Sequence, residues 1–387
     1  MGRVTVSPIS IERLNAADNP FQSAFWAYVK QYSQWNASAF RVQILNDSDE
    51  VEYDETLLVL SRRAALSYHI AYIPFGPVIP KHSLPVAQFL RELSKALQSY
   101  LPRYTISIRY DLPWPDHDHD QIEPILGRSL HSCRESVQPE GTACIDLKQG
   151  YEQIRLSYRE RAVRNIRKAL SKGVVVVEWD GREKTFEEWY EVYRQTAKRD
   201  GFDTRESAYI RRMLSQSDFA AAKRETIRKT TKRGTDKLQS SALPADNKVE
   251  CHLYLAYIGK QMVGGNIVME SRYKAVYLFG SSLRIDGVSC SYVLQDYTIQ
   301  KACERNLSVY DLYGISGPGD RGSHLEGLRL FKRSFGGYVR YRHPSIDFVY
   351  KFLPWIVYSR LEILRYRAKR RRQPKRITQQ YAVSSDL

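Results

Sequence analysis

The sequence predicts an α/β (α+β) protein in which one β-β-β-α-β plan occurs twice, giving two domains with mixed twisted sheets. Three observations carry this prediction. A chain of 387 residues exceeds the size at which a single hydrophobic core keeps growing. The order of strand and helix periods found before residue 111 recurs after residue 251. A hydrophobic content of 43%, with no Gly, Ser or Pro bias, marks a chain folded nearly throughout.

In the first copy, period-two alternation predicts strands at residues 40–45, 56–60 and 68–73, the last closed by Pro74-Phe75-Gly76-Pro77. Residues 84–101 follow as an amphipathic helix, with Val86, Phe89, Leu90, Leu93 and Leu97 at helical spacing. A strand at 105–110 then ends in Asp111. In the second copy, strands at 252–258, 261–269 and 275–279 form a meander closed by Gly280-Ser281-Ser282. A helix at 291–305 and a strand at 308–312, with Asp311 near its end, complete it. This order resembles that of acetyltransferase-like domains, so the fold expected is two tandem GNAT-like (acyl-CoA N-acyltransferase-like) domains.

Between the copies, residues 151–170 form a charge-rich helical stretch. Residues 185–198 form another, whose face of Phe186, Trp189, Tyr190 and Tyr193 is expected in the core. Residues 223–237 carry seven basic residues against Glu225 and Asp236 with no apolar period, an exposed loop. The tail from 360 to 376 holds nine basic residues against Glu362. Upstream of it, Phe352, Trp355, Ile356, Leu361 and Leu364 can line an apolar helix face. Such a basic amphipathic segment suits an anionic membrane or RNA phosphates, and a docked terminal helix with a solvated basic end fits equally.

Lys and Arg number 59 against 43 Asp and Glu, a net charge of +16, which favours a polyanionic partner: nucleic acid, nucleotide phosphates or anionic lipid. Five cysteines without a C-x-x-C pair suggest neither a disulfide framework nor a zinc site and fit a reducing cytoplasm. The eight histidines show no ligand spacing and no P-loop is present, so no metal or cofactor is expected. The start lacks the pattern of a secretory signal, and the longest apolar run near the end, 352–358, is far below the roughly 20 residues that span a bilayer.

Six segments, in order from Phe21 to Tyr338, resemble the signature stretches of the Fem (FemABX) family of tRNA-dependent peptidoglycan aminoacyltransferases. They are Phe21-Gln22-Ser23 with Trp26 and Lys30; Pro74 to Val78; Gln138-Pro139 with Thr142 and Ile145-Asp146-Leu147; Arg164 to Ala169 closing on Lys172-Gly173-Val174; the loop Gly201 to Tyr209; and Phe331-Lys332 with Phe335-Gly336-Gly337. Residues 223–247 are too short and polar for the helical hairpin of some members, so the chain is similar to the hairpin-less, FemX-like ones. The resemblance implies transfer of an amino acid from aminoacyl-tRNA to the side-chain amine of residue 3 in the stem peptide of UDP-MurNAc-pentapeptide or lipid II. The chain is expected to be a cytoplasmic monomer, and its basic tail is one means of holding it at the inner face of the membrane.

The same resemblance implies the site residues. Lys332 would stand beside the terminal ribose of the tRNA, where its charge can stabilise an oxyanion or the departing 3′ oxygen, and Phe331 would stack on the terminal adenine. Lys30 and Arg205 would hold the acceptor diphosphate, with Tyr209 on the face of Arg205. Asp111, at a strand end, would orient or deprotonate the amine, with Asp311 its counterpart in the second copy. Phe279 stands where the family usually has Tyr, which puts a substrate hydrogen bond there in doubt. Gln138 to Ala143 also fits Q-x-x-G-x-A, the acyl-CoA loop, but precedes a strand instead of a helix, which argues for an accidental match. The implied domains are 1–147 with 338–365 on the acceptor side, 148–337 carrying the basic loop 223–247, and a basic tail 366–387. An acyl-CoA-dependent N-acyltransferase acting on another envelope amine and a non-catalytic RNA- or membrane-binding protein are the competing readings.

Overall fold

The computed structural model describes residues 2–16, 18–81, 84–114, 129–134, 136–215, 248–316 and 326–372. The loop 223–247 and the tail beyond 372 lie outside the described residues. In chain order the strands are β1 (Arg3–Ile9), β2 (Asn36–Leu45), β3 (Val51–Ala65), β4 (Tyr68–Ile73), β5 (Thr105–Tyr110), β6 (Leu130–Ser132), β7 (Gly141–Asp146), β8 (Val174–Glu178), β9 (Glu250–Ile258), β10 (Gln261–Glu270), β11 (Lys274–Ser282), β12 (Val309–Asp311), β13 (Tyr338–Tyr341) and β14 (Ile346–Val349). The helices are α1 (Ala24–Tyr32), α2 (Val86–Leu97), α3 (Tyr151–Leu156), α4 (Glu160–Ser171), α5 (Glu183–Asp200), α6 (Cys290–Glu304), α7 (Glu326–Lys332) and α8 (Phe352–Arg372), with residues 207–215 also helical.

Among the described residues two seven-stranded mixed sheets run β1-β2-β3-β4-β5-β14-β6 and β13-β7-β12-β11-β10-β9-β8. Each contains the repeated plan. Strands β2, β3 and β4 are antiparallel, α2 crosses, and β5 pairs parallel to β4. Strands β9, β10 and β11 are antiparallel, α6 crosses, and β12 pairs parallel to β11. Helix α2 buries Phe89, Leu90, Leu93 and Leu97 against its sheet, and α5 buries Phe186, Trp189 and Tyr193 as the sequence predicts. Gly265 lets Trp189 lie on β10: a Cβ there would stand 2.6 Å from the indole.

The second sheet is built from the contiguous run β7 to β13, and only β14 returns to the first. Strand β7, from the first half, lies between β12 and β13; β14, from the chain end, lies between β5 and β6. A division at residue 147 therefore differs from sheet membership, since β7 and β13 both pair in the second sheet and the return to the first begins only at β14. The cause is burial: all but the last residue of β7 is buried, so its backbone groups need partners on both edges. Gly336 and Gly337 open β13, both with φ +75°, and a Cβ on Gly337 would meet the Cys144 carbonyl at 2.1 Å. The paired glycines of the Phe-Gly-Gly segment are thus a requirement of strand entry.

Helix α8 is fastened to the first sheet by charge. Arg109, buried on β5, donates to Asp347 of β14 at 2.7 and 2.9 Å and to Glu362 of α8 at 2.8 Å. Trp355 donates through Nε1 to Asp347 at 2.9 Å. Trp355 therefore faces the sheet and not the apolar face expected to join it to Leu361 and Leu364. Among the described residues no helix is long and apolar enough to cross a membrane.

Candidate active site

The Phe-Gln-Ser segment sets α1 and with it Lys30. Ser23 caps the helix by accepting from the Trp26 amide at 3.0 Å, and Gln22, buried, donates to the Pro74 carbonyl at 2.7 Å and accepts from the Leu58 amide at 2.7 Å. Lys30, in the last turn, stands 4.5 Å over the Trp26 ring and 3.4 Å from the Tyr209 hydroxyl. Tyr209 comes from the second half, downstream of the Gly201 left-handed cap that ends α5. Arg205, exposed, lies 5.9 Å over the same Tyr209 ring.

The structure thus brings Lys30, Arg205 and Tyr209 together where the halves meet, over a core that both share: Phe21, Trp26, Phe75 and Trp114 pack with Phe186, Trp189, Tyr193 and Tyr209. Sequence reasoning missed a third cation, Arg62, which stacks 4.5 Å over Trp35. Nothing but its place on β3, opposite α1, signals it. Burial, then Arg205, then Arg62 push the Lys30 ammonium down to about 7. Among the described residues none of the three pairs with a carboxylate. Burial likewise raises the Tyr209 phenol to about 12, which keeps it a donor.

Lys332 ends α7 and is buried, 5% exposed. Its ammonium donates to the carbonyls of Tyr313 and Gly314, the latter at 2.8 Å, and stands 5.6 Å over the Tyr277 ring. Burial pushes it down to about 7, opposed by Asp311. Phe331 meets Tyr292 and Phe335 edge-on at 4.9 and 5.4 Å, so its ring is half-buried among aromatics. Phe279 packs on Tyr193 at 6.2 Å and offers no polar atom. A bulge in the β10–β11 register pairs Ile267 with Phe279 and Val268 with Tyr277. This sends Phe279 to the shared core and Tyr277 to the second core, towards Lys332.

Asp111 and Asp311 end the two parallel strand pairs, as the repeat predicts, and both are fully buried. Asp111 accepts from Tyr72 at 2.6 Å, from the Ser345 hydroxyl, and pairs with Arg342 at 3.2 Å. Asp311 accepts from Thr142 and pairs with Lys274 at 2.8 Å. Gln138 donates to Tyr72 at 3.1 Å and accepts from Tyr313. A relay Asp111–Tyr72–Gln138–Tyr313 therefore joins the ends of β5 and β12, and the Tyr313 carbonyl carries it to Lys332. Gln138 leads into β7, and no helix follows it directly.

Two further features surround this centre. Helix α4 buries Ala162, Ile166 and Ala169 and leaves Arg161, Arg164, Arg167 and Lys168 exposed, with no carboxylate partner among the described residues. Its start packs on the turn after Lys332, where the Arg159 amide donates to the Ser334 carbonyl at 2.9 Å. An open cleft of about 500 Å³ lies between the end of β11 and the start of α6, lined by Arg199, Arg284 and Gly287 among others. Lys168 reaches its rim, its ammonium 3.2 Å from where a Gly287 Cβ would stand.

The chain was compared with known proteins. A lipid II:glycine glycyltransferase of Staphylococcus aureus strain USA300 is 24% identical over 372 residues, 84% of this chain and 86% of the relative. The protein of that name from strain MRSA252 matches with the same identity and coverage. A crystal structure of FemX superposes with a TM-score of 0.67 at 16% identity, over 92% of this chain and 99% of the other, a likeness of fold. The FemAB family model matches residues 127–221 and 217–354, a span that includes β7, α4, the Gly201 loop, Lys332 and β14. The chain belongs to the FemAB family.

Proposed function

We propose that this chain is an aminoacyltransferase that moves an amino acid from aminoacyl-tRNA to the side-chain amine of the third residue in a peptidoglycan stem peptide, carried by UDP-MurNAc or by lipid II. The observation that carries the reading is the convergence of Lys30 and Arg205 from two domains on Tyr209, with Arg62 within electrostatic reach of Lys30. Unpaired cations over a preformed core suit a diphosphate, which Arg can grip as a fork and Lys as a point charge.

The donor ester is already activated, so positioning and charge stabilisation suffice. The amine attacks the ester carbonyl, a C–N bond forms, and the bond to the tRNA 3′ oxygen breaks. The nitrogen loses one proton and the leaving oxygen ends as a hydroxyl. Lys332 is the group for the developing negative charge, with Phe331 for the terminal base. Asp111, which touches Tyr72 and Arg342 and not open solvent, enters as a positioning residue through the relay to Tyr313. The exposed cations of α4 start beside Lys332 and suit the phosphates of the donor.

The cleft between β11 and α6 favours a second reading. A strand-to-helix turn with Arg199 and Arg284 is where an acyl-CoA pyrophosphate would sit. Incubation of the purified protein with mixed charged tRNAs, acetyl-CoA and both acceptors, followed by product mass, tests the two together. An amino-acid increment on the stem peptide that needs charged tRNA is the expected result, and transfer only from acyl-CoA would overturn the first reading.

A further inference from the structure

Helix α8 is fastened to its sheet by polar groups while it leaves a row of aliphatic side chains in solvent. Its polar anchors point inward, Glu362 to Arg109 and the Trp355 indole nitrogen to Asp347. Its aliphatic residues point outward: Leu353 is 76% exposed, Val357 59%, Leu361 51% and Leu364 58%. The spacing i, i+4, i+8, i+11 makes these one continuous stripe. Arg360 and Arg367 flank it on one side and Arg365 on the other, all exposed and none paired with a carboxylate among the described residues. Single exposed leucines are ordinary; an ordered stripe of them marks a contact surface.

We propose that α8 lies on an anionic phospholipid surface, with Leu353, Val357, Leu361 and Leu364 in the acyl boundary and Arg360, Arg365 and Arg367 among the headgroup phosphates. An apolar centre with cations on both flanks is the pattern of a helix held in the plane of the interface. RNA would use the cations and leave the aliphatic stripe in water. A second copy of the chain would set arginine against arginine along both flanks. The sequence continues the charge with Lys369-Arg370-Arg371-Arg372.

The surface adjoins the candidate acceptor site. Arg62 lies within electrostatic reach of Tyr358 on α8 and of Lys30, so docking would hold the cation cluster near headgroup level, where the diphosphate of a lipid-linked acceptor lies. That last clause rests on the proposed function; the docking itself does not.

The test uses the full chain and vesicles of phosphatidylcholine with and without phosphatidylglycerol, free of any cell-wall precursor, so that failure of docking and failure of the transfer reading are told apart. The wild type should sediment with the anionic vesicles and not with the neutral ones. Leu353→Ser/Val357→Ser/Leu364→Ser, which alters only exposed side chains, should lower partitioning by about tenfold or more at an unchanged melting temperature. Arg360→Glu/Arg365→Glu should lower it too and flatten its salt dependence. Absence of binding to anionic vesicles or equal binding by the serine variant overturns the proposal. So does a dimer that the serine substitutions dissociate, or a loss confined to tRNA binding.

Discussion

Lys30 and Tyr209 meet across the domain junction, ammonium to phenol oxygen 3.4 Å, although they stand in different halves of the chain. Burial, then Arg205 and Arg62, keep the lysine only partly charged near neutrality. An anion bound there would restore the charge, so binding takes up a proton. Acceptor affinity should therefore fall as pH rises through about 7, the sign expected when the protonated form binds. Lys30→Arg, which stays charged, should flatten that profile, and Lys30→Ala should raise the acceptor KM by about 10- to 100-fold, the value of a charge-assisted hydrogen bond. A wild-type KM that does not vary from pH 6 to 9 would remove Lys30 from the phosphate site.

Lys332 is tested through turnover. A charge that acts on the transition state alters kcat more than binding. Lys332→Met should lower kcat by about 10²–10³, with Lys332→Arg partly active at best because its fork does not fit between the Tyr313 and Gly314 carbonyls. Burial holds the free-enzyme lysine near 7, so kcat/KM should decline as pH rises through that value. A profile that climbs instead would make the neutral amine, acting as a base, the working form.

Asp111→Asn leaves Arg342 buried without its carboxylate. Removing one partner of a buried pair costs about 3–5 kcal/mol, so the melting temperature should drop steeply. If Asp111 acts by positioning, the folded fraction should keep a substantial kcat with the acceptor KM little changed. A stable Asp111→Asn protein with no turnover would instead place the carboxylate at the reacting amine.

The cations of α4 are assigned to the donor. Arg164→Glu/Lys168→Glu should raise the KM for charged tRNA and lower its salt dependence by about one unit of slope per lost phosphate contact. The acceptor KM should not move. Equal effects on both substrates would count against a separate donor track.

Much of the plan was legible because the repeat is written in hydrophobic periods: β4, α2, β5 and their partners β11, α6, β12 each announce themselves by spacing. Strand β1 and helix α1 were not seen. The first is an edge strand whose alternation of Val4 and Val6 with Thr5 and Ser7 is cut short at Pro8, and the second is apolar on nearly all sides because it sits in the shared core. The place of β7 was also out of reach, since Thr142 to Ile145 read equally well as a strand of either sheet. Lys30, Arg205 and Lys332 were legible only through their motifs, and Arg62 and Gln138 act through neighbours distant in sequence. Tyr277 and Phe279 show the limit best: a one-residue bulge, invisible in period-two alternation, decides which of them turns towards Lys332.

The return of β14 to the first sheet also governs how the protein is made. A ribosome delivers β5 and β6 early, but the slot between them stays open until β14 emerges, after the whole second sheet has been synthesised. At about 5–20 residues per second, that wait from Ser132 to Ile346 is on the order of 10–40 s. Through it the nascent chain carries an unfilled groove with two unsatisfied strand edges. The second sheet, β7 to β13, is contiguous in sequence, whereas the first cannot be completed without β14, the last of the described strands to leave the ribosome.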